Sequence, residues 1–135
     1  MSRSAGEQPL LTFETVRQLS AFPGFRHTVS EQDLRDYRTA TGCEDQGEAL
    51  PAGYAAILGR LGYLHEHRMP PGGVLLGQEI AWLRPARSRE PLDVTAVVQS
   101  ATEDAGGRRK VVIVTTVRQS GDEVARVRVT VGWPT

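Results

Sequence analysis

The stretch "PAGYAAILGRLGYLHEH", residues 51 to 67, decides the fold of this chain. Proline at position 51 suits the first turn of a helix, and the large apolar residues after it recur at helical spacing. Glycine weakens an isolated helix by about 1 kcal/mol relative to alanine, so the glycines here need a reason, and close approach of another backbone is the simplest. The sequence therefore predicts a central helix over about residues 51 to 67, with its large apolar residues at Tyr54, Ile57, Leu58, Leu61 and Leu64.

The segments that follow the helix are rich in β-branched residues and predict strands over residues 74–85, 92–104, 109–120 and 123–134. A Gly-Asp pair at 121–122 is a hairpin signal between the last two. The final strand alternates apolar and polar residues, which is typical of an antiparallel sheet with one face exposed to solvent. One small-residue helix followed by a long antiparallel meander indicates an α+β layout. A sheet of about five strands wrapped closely around one glycine-rich helix describes the hotdog fold.

The segment before the central helix predicts one further strand and one further helix. Phe25 to Val29 is strand-like, and Ser30 begins a capping-box variant with Asp33. Gly42 is a plausible end for that helix. Residues 1 to 9 are expected to form a loose tail, and residues 10 to 135 a single domain.

The composition excludes several classes of protein. The 135 residues carry 16 Lys and Arg against 16 Asp and Glu, so the formal net charge is zero, which argues against a nucleic-acid-binding protein. A single cysteine excludes an intramolecular disulfide and fits a reducing cytosol. No secretory signal and no apolar run long enough to span a membrane is evident. We expect a cytoplasmic protein without a membrane partner, a cofactor or a metal.

The chain resembles the MaoC-like acyl-thioester hydratases and dehydratases, which are hotdog proteins. The likeness covers roughly residues 24 to 133. "TVSEQDLRDYRTATG" is similar to the family's opening strand and helix, and "VLLGQEIAWLRPARSREPLDVTAVV" to its Leu-Arg-Pro strand and the strand after it. "TTVRQSGDEVARVRVTV" is similar to its closing hairpin. These are signatures of the fold rather than of catalysis.

The acid–base signature of the family is absent from the loop before the central helix. In active members, Thr/Ser-Gly is followed by Asp-x-Asn-Pro-x-His. Here the aspartate position falls on Cys43 and the histidine position on Glu48, and the Asn-Pro between them is Asp45-Gln46. The short form without the pair looks most like the non-catalytic hotdog half of double-hotdog or heterodimeric members.

Dehydration of a 3-hydroxyacyl thioester needs a base for the acidic Cα–H, an acid for the leaving hydroxyl and donors for the thioester oxygen. Backbone N–H groups at the start of the central helix, around Ala52 to Tyr54, could supply the donors. Glu48 and Asp45 are candidate carboxylate bases, although a solvated acidic loop is the simpler interpretation. Tyr54 is a candidate hydrogen-bond donor to the substrate, with core packing as the alternative. Gly53 would let a substrate approach closely, with helix–sheet packing as the alternative.

Glu79 and two groups of basic residues are further candidates for ligand binding. Glu79 is a polar residue within an apolar strand and could face the acyl pocket or a subunit interface, or lie on an ordinary exposed edge. Arg84 belongs to the first of two basic groups that could receive the phosphates of coenzyme A or a carrier arm. His65 and His67 lie two residues apart, on different faces of a helix, which argues against a shared metal site. The two basic groups are Arg84-Arg87-Arg89 and Arg108-Arg109-Lys110.

Three functions are compatible with these residues. The first is a hydratase or dehydratase acting on thioesters of coenzyme A or an acyl carrier protein, with a non-standard acid–base set. The second is a catalytically silent hotdog subunit that completes the pocket of an active partner. The third is a hotdog thioesterase or a specialised biosynthetic enzyme. All three imply an acyl-thioester ligand, and because hotdog proteins pair through their sheets, a homodimer or a heterodimer with another hotdog protein.

Overall fold

The computed structural model describes residues 8–42 and 49–135. Within these residues, three helices and five strands follow one another. In order they are α1 (Phe13–Gln18), β1 (Phe25–His27), α2 (Glu31–Thr41), α3 (Tyr54–Leu64), β2 (Val74–Trp82), β3 (Leu92–Glu103), β4 (Arg109–Gln119) and β5 (Asp122–Trp133).

The five strands form one antiparallel sheet in the order β1-β3-β4-β5-β2. The three central strands are the meander expected from the sequence, and β4 and β5 are joined by a tight turn in which Gly121 has φ +83°. β1 and β2 are the two edges. The prediction of an α+β protein with five antiparallel strands is confirmed.

Helix α3 packs on one face of this sheet through its glycines. A Cβ atom added to Gly59 would lie 2.6 Å from Cγ1 of Val127, and one added to Gly62 would clash with the side chain of Thr115. The Thr115 hydroxyl also donates a hydrogen bond of 3.1 Å to the carbonyl oxygen of Gly59. The glycines therefore allow side chains of the sheet to approach the helix, where the sequence had suggested approach of a backbone.

The helix is shorter than residues 51 to 67 at both ends. Pro51 lies in a tight turn before it, in which the Tyr54 amide donates to the Pro51 carbonyl oxygen at 3.0 Å. Beyond Leu64, His65 turns away and stacks on Phe25 of β1 with ring centroids 4.0 Å apart. His67 makes an edge contact with Phe22, so the two histidines serve separate aromatic contacts.

The two other helices cap the sheet. α2 begins at Ser30 with a capping box that includes Asp33 and ends at Gly42 with φ +72°, as the sequence predicts. α1, which the sequence analysis did not foresee, begins at Thr12 and buries Phe13 and Val16 in the main core. None of the described helices is long and apolar enough to cross a membrane.

Among the described residues, strand β2 pairs only with β5, and no strand covers its other edge. Val74, Leu75 and Leu76 are 57%, 57% and 56% exposed. Ile80 of the same strand and Ile57 of α3 are also exposed. The open edge of the sheet is thus strongly apolar, although a sheet edge in water is normally protected by charge, proline or a cover. We call these five residues the β2 surface.

Candidate functional site

The start of α3 is held by three connections to the rest of the chain. The Leu50 amide donates to the Ala86 carbonyl oxygen at 2.8 Å. The indole N–H of Trp82, at the end of β2, donates to the Ala52 carbonyl oxygen at 2.8 Å. The ring of Tyr37, from α2, lies 5.5 Å from the ring of Tyr54. The first turn of α3 is therefore fixed between the edge strand and α2.

Of the amides expected to be free around Ala52 to Tyr54, the Tyr54 amide is occupied by Pro51. Within the described residues, the amides of Ala52 and Gly53 donate no hydrogen bond. The first amides of a helix carry the positive end of its dipole. Ala52 and Gly53 thus provide two exposed donors that suit an oxyanion or a carbonyl oxygen.

Gly53 does not present an empty surface. A Cβ built on it would overlap the hydroxyl of Tyr37, which fills the space on that side of the glycine. A glycine at this position therefore leaves room for the hydroxyl of Tyr37, a contact between α2 and α3 that the sequence did not reveal. Close approach of a substrate from the Cβ side would require Tyr37 to move.

Tyr54 is 5% exposed and packs in the smaller core cluster with Leu34 and Leu58. Burial, and to a lesser extent the nearby carboxylate of Asp33, raise the pKa of Tyr54. The phenol is therefore neutral at physiological pH and is able to donate a hydrogen bond. Within the described part of the chain, no hydrogen bond to its hydroxyl is formed.

Glu48 and Asp45, the candidate bases, lie outside the described residues, as does Cys43. The next described residue, Ala49, forms a bridge with Arg87, and the Leu50 amide donates to the Ala86 carbonyl oxygen. In sequence, Glu48 directly precedes Ala49.

Glu79 lies on the outer face of the sheet, away from α3. Its neighbour Ile80 stands opposite Val127, whose side chain meets α3 at Gly59. Since successive residues of a strand point to opposite faces, Glu79 shares the outer face with Arg128, its partner across β5. The structure does not bring Glu79 to the start of α3 within one subunit.

The first basic group is neutralised by ion pairs. Arg84 pairs with Asp122 at 3.1 Å, Arg87 with Glu90 at 3.4 Å and Arg89 with Glu31 at 3.0 Å. These side chains are exposed, so each pair contributes little to stability, but each cation already has an acidic neighbour. No contact in the described residues connects Arg84 to Tyr54 or Glu79.

The second basic group lies at the opposite end of the sheet. Arg109 pairs with Glu103 at 2.7 Å, whereas Arg108 and Lys110 have no acidic partner among the described residues. All three border a groove of about 890 Å³ beside Trp133. This groove is remote from the start of α3, and the structure does not combine the two basic groups into one site.

Comparison with known proteins places this geometry in a familiar fold. No known family model and no curated protein matches the sequence. Among solved structures, a MaoC-like dehydratase from Rhodospirillum rubrum aligns with 90% of this chain and 97% of its own, at 20% identity and a TM-score of 0.64. The C-terminally truncated HadBC complex, a 3R-hydroxyacyl-ACP dehydratase from Mycobacterium tuberculosis, aligns over 86% and 96%, at 17% identity and a TM-score of 0.65.

A thioesterase from Thermus thermophilus, solved with coenzyme A and zinc, aligns with 87% of this chain and 86% of its own, at 14% identity and a TM-score of 0.62. The hotdog fold is thus established, and the resemblance to MaoC-like proteins is confirmed at the level of the fold. The same fold carries dehydratases and a thioesterase, so the activity has to be argued from the residues.

Proposed function

We propose that this chain binds acyl thioesters and acts as a hydratase or dehydratase with a non-standard base, Glu48. The observation that carries the proposal concerns the backbone amides of Ala52 and Gly53, which donate no hydrogen bond within the described residues. They are held in place at the start of α3 by Trp82 and Leu50. The fold similarity to a 3R-hydroxyacyl-ACP dehydratase and to a MaoC-like dehydratase supports an acyl-thioester ligand. Fold similarity alone is an analogy, and the amides give it a chemical basis.

The proposed reaction uses these groups in one step. The amides of Ala52 and Gly53 stabilise the thioester oxygen as it gains negative charge. The Glu48 carboxylate removes the Cα proton, and the hydroxyl at C3 leaves as water after it takes up a proton. Tyr54, whose raised pKa keeps the phenol protonated, is the proposed proton donor, and the proton taken up by Glu48 then returns to it. Asp45 is the alternative base in the same loop. The reverse direction hydrates an enoyl thioester.

The base is tested by replacing Glu48 with glutamine, which keeps the shape of the side chain and removes its ability to accept the proton. We expect turnover of 3-hydroxyacyl-CoA to fall by about 10²-fold or more, with thioester binding unchanged. Asp45→Asn is the matched control in the same loop, and it should cost less. A Glu48→Gln protein that is as active as the parent contradicts the mechanism.

A second candidate function is a silent subunit, and the position of Tyr37 favours it. Its hydroxyl occupies the Cβ side of Gly53, where the substrate was expected to approach. A subunit that contributes only a pocket wall and a dimer surface can keep the Tyr37 hydroxyl beside Gly53. In an active subunit, Tyr37 has to move away before the substrate can approach Gly53 from that side. In this version, the acid–base pair comes from a partner hotdog chain.

Activity of the purified chain distinguishes the candidates. Turnover of crotonyl-CoA or 3-hydroxybutyryl-CoA at about 1 s⁻¹ or more by the chain alone supports the enzyme. Absence of turnover, with rescue by a co-purified hotdog protein, supports the silent subunit. Release of free coenzyme A thiol from a saturated acyl-CoA, without water addition to crotonyl-CoA, would instead indicate a thioesterase.

We also propose that the chain pairs with a second hotdog chain through the β2 surface. An edge strand with free backbone groups and exposed aliphatic side chains is suited to pairing with another strand. We expect a dimer at micromolar concentration by light scattering, and Leu75→Lys should shift it to monomer. Val97→Lys is the control, because Val97 is 45% exposed but lies on β3, inside the sheet. A monomeric parent protein, or a dimer unaffected by Leu75→Lys, would count against this interface.

A further inference from the structure

A cavity of about 250 Å³ lies between α3 and the inner face of β2. It runs along α3 from Ala56, in the first turn, to Leu64, at the end of the helix. Aliphatic side chains line much of it, with Leu64 on the helix side and Leu75 and Val131 on the sheet side, but polar atoms contribute a comparable area and the cavity is open to solvent beside the exposed Leu75. Three polar side chains interrupt this lining: Arg60, Tyr63 and Gln78.

Tyr63 is the most buried of the three polar residues, with 8% of its surface exposed. Its hydroxyl has no hydrogen-bond partner among the described residues. The hydroxyl oxygen itself is not among the buried polar atoms that lack a partner, so it is accessible to solvent at the wall of the cavity and can donate to a ligand there. Burial raises the pKa of Tyr63, against a smaller opposing effect of Arg60, so the hydroxyl remains a donor at physiological pH.

Arg60 and Gln78 place two further donors on the same cavity. Arg60 precedes Tyr63 by three residues, so the two side chains share one face of α3. Within the described residues, Arg60 forms no ion pair and the amide of Gln78 forms no hydrogen bond. Gln78 stands opposite Val129, a core residue, and therefore points to the inner face of the sheet. A guanidinium, a phenol and an amide thus border an otherwise apolar space.

We propose that this cavity binds the far end of an acyl chain that carries a carboxylate. The apolar walls suit the methylene chain, and the three donors suit an anionic oxygen pair, for which a guanidinium is the preferred partner. The inference rests on the proposed function, because it assigns the acyl group of the thioester ligand. It favours an ω-carboxyacyl thioester over a simple fatty acyl thioester.

The spacing along α3 fits a chain that joins the two sites. At 1.5 Å of rise per residue, Arg60 and Tyr63 lie roughly 10 to 15 Å along the helix axis from Gly53. A thioester held by the amides of Ala52 and Gly53 would therefore need a chain of medium length to reach Arg60 and Tyr63. A short acyl group would leave the three donors unused.

The test has two arms that use the whole protein. In the first, binding of octanoate and octanamide is measured by calorimetry, since these ligands share a chain and differ in charge. We expect octanoate to bind at least about tenfold more tightly and its affinity to fall with added salt. In the second, suberoyl-CoA is compared with octanoyl-CoA, and we expect a similar preference for the carboxylate.

Three variants locate the effect. Arg60→Met keeps the length and the apolar stem of the side chain and should abolish the preference for the carboxylate in both arms. Tyr63→Phe removes only the hydroxyl and should reduce the preference by several-fold. Arg118→Met is the control, because Arg118 is exposed, has no ionic partner among the described residues and does not line the cavity, and it should leave the preference unchanged. Thermal unfolding verifies that each variant is folded.

The outcomes separate this inference from the proposed function. If octanoate binds in a manner that depends on Arg60 while neither coenzyme A ester binds, the cavity assignment stands and the thioester function fails. If both esters bind equally well and octanoate shows no dependence on Arg60, the thioester function stands and the cavity assignment is overturned.

Discussion

Gly62 shows how closely the central helix depends on the residues of the sheet. A Cβ atom at this position would lie 2.8 Å from Cγ2 of Thr115 and 3.2 Å from Cβ of Ala96, both on central strands. Thr115 cannot easily turn away, because it is 1% exposed and its hydroxyl is bonded to Gly59. The glycine is therefore required by packing, and the sequence indicated the need without revealing the partner.

We expect Gly62→Ala to lower the free energy of unfolding by about 1 to 3 kcal/mol, because overpacking of the core outweighs the gain of up to about 1 kcal/mol in helix propensity. Urea denaturation followed by circular dichroism measures the change. Gly106→Ala, in the exposed β3–β4 turn, should stay within about 0.5 kcal/mol of the parent. A stabilised Gly62→Ala protein would show that α3 has room to move away from the sheet.

The capping box of α2 matters to the site because α2 carries Tyr37 to Gly53. The Ser30 hydroxyl accepts the Asp33 amide at 3.0 Å, and the Asp33 carboxylate accepts the Ser30 amide at 2.9 Å. This pair sets where the helix begins and hence the rotation that turns Tyr37 inward. Asp33 also contributes to the raised pKa of Tyr54, so one cap connects helix geometry to the candidate donor.

Loss of this cap should cost about 1 kcal/mol of unfolding free energy, which Ser30→Ala tests by chemical denaturation. Thr28→Ala is the control, because Thr28 is exposed and makes no hydrogen bond within the described residues. An equal effect of the two substitutions would mean that the Ser30 hydroxyl contributes nothing beyond loss of a surface side chain.

The regular elements were largely predictable from the sequence. The strands follow from β-branched runs between turn residues, and the observed ends differ from the expected ones by at most a few residues. β2 stops at Trp82 rather than Pro85 because Leu83 and Arg84 leave the ladder to bond the Val124 carbonyl oxygen. α1 was missed because six residues are too few for a helical period to stand out.

The candidate site was less predictable, because its contacts join residues that are distant in sequence. Trp82 reaches Ala52, and Tyr37 reaches Gly53, through the fold alone. Tyr54 lies at the start of α3 as expected. Glu79 was chosen from a strand pattern and Arg84 from a group of basic residues, and neither signal specifies which face or edge of the sheet a residue occupies. The roles of Glu48 and Asp45 stay predictions.

At the scale of the whole molecule, two buried tyrosines make stability depend on alkaline pH. Burial raises the pKa of Tyr63 and of Tyr54 above the value near 10 that applies in the unfolded chain. The folded state therefore keeps these protons longer than the unfolded state. Below pH ~10 the two phenols make no difference, and above it the free energy of unfolding falls as pH rises toward the folded pKa.

The expected slope is at most about 1.4 kcal/mol per pH unit for each tyrosine. Tyr63→Phe should reduce the loss of stability between pH 9 and pH 11, measured by urea denaturation at each pH and compared with the variant's own value at pH 7. An unchanged pH dependence in this variant would show that Tyr63 ionises in the folded protein as readily as in the unfolded chain.

The strand order β1-β3-β4-β5-β2 also determines how the chain has to find its fold. β3, β4 and β5 meet through short turns, so their hairpins close at small entropic cost. β1 and β2 join the sheet only across long stretches of chain, since Phe25 pairs with Val94 and Val74 with Gly132. We therefore expect the central meander to organise the folding nucleus and the two edges to arrive late. The apolar strand β2 is then the last to be secured during synthesis and the segment most in need of a chaperone or a second chain.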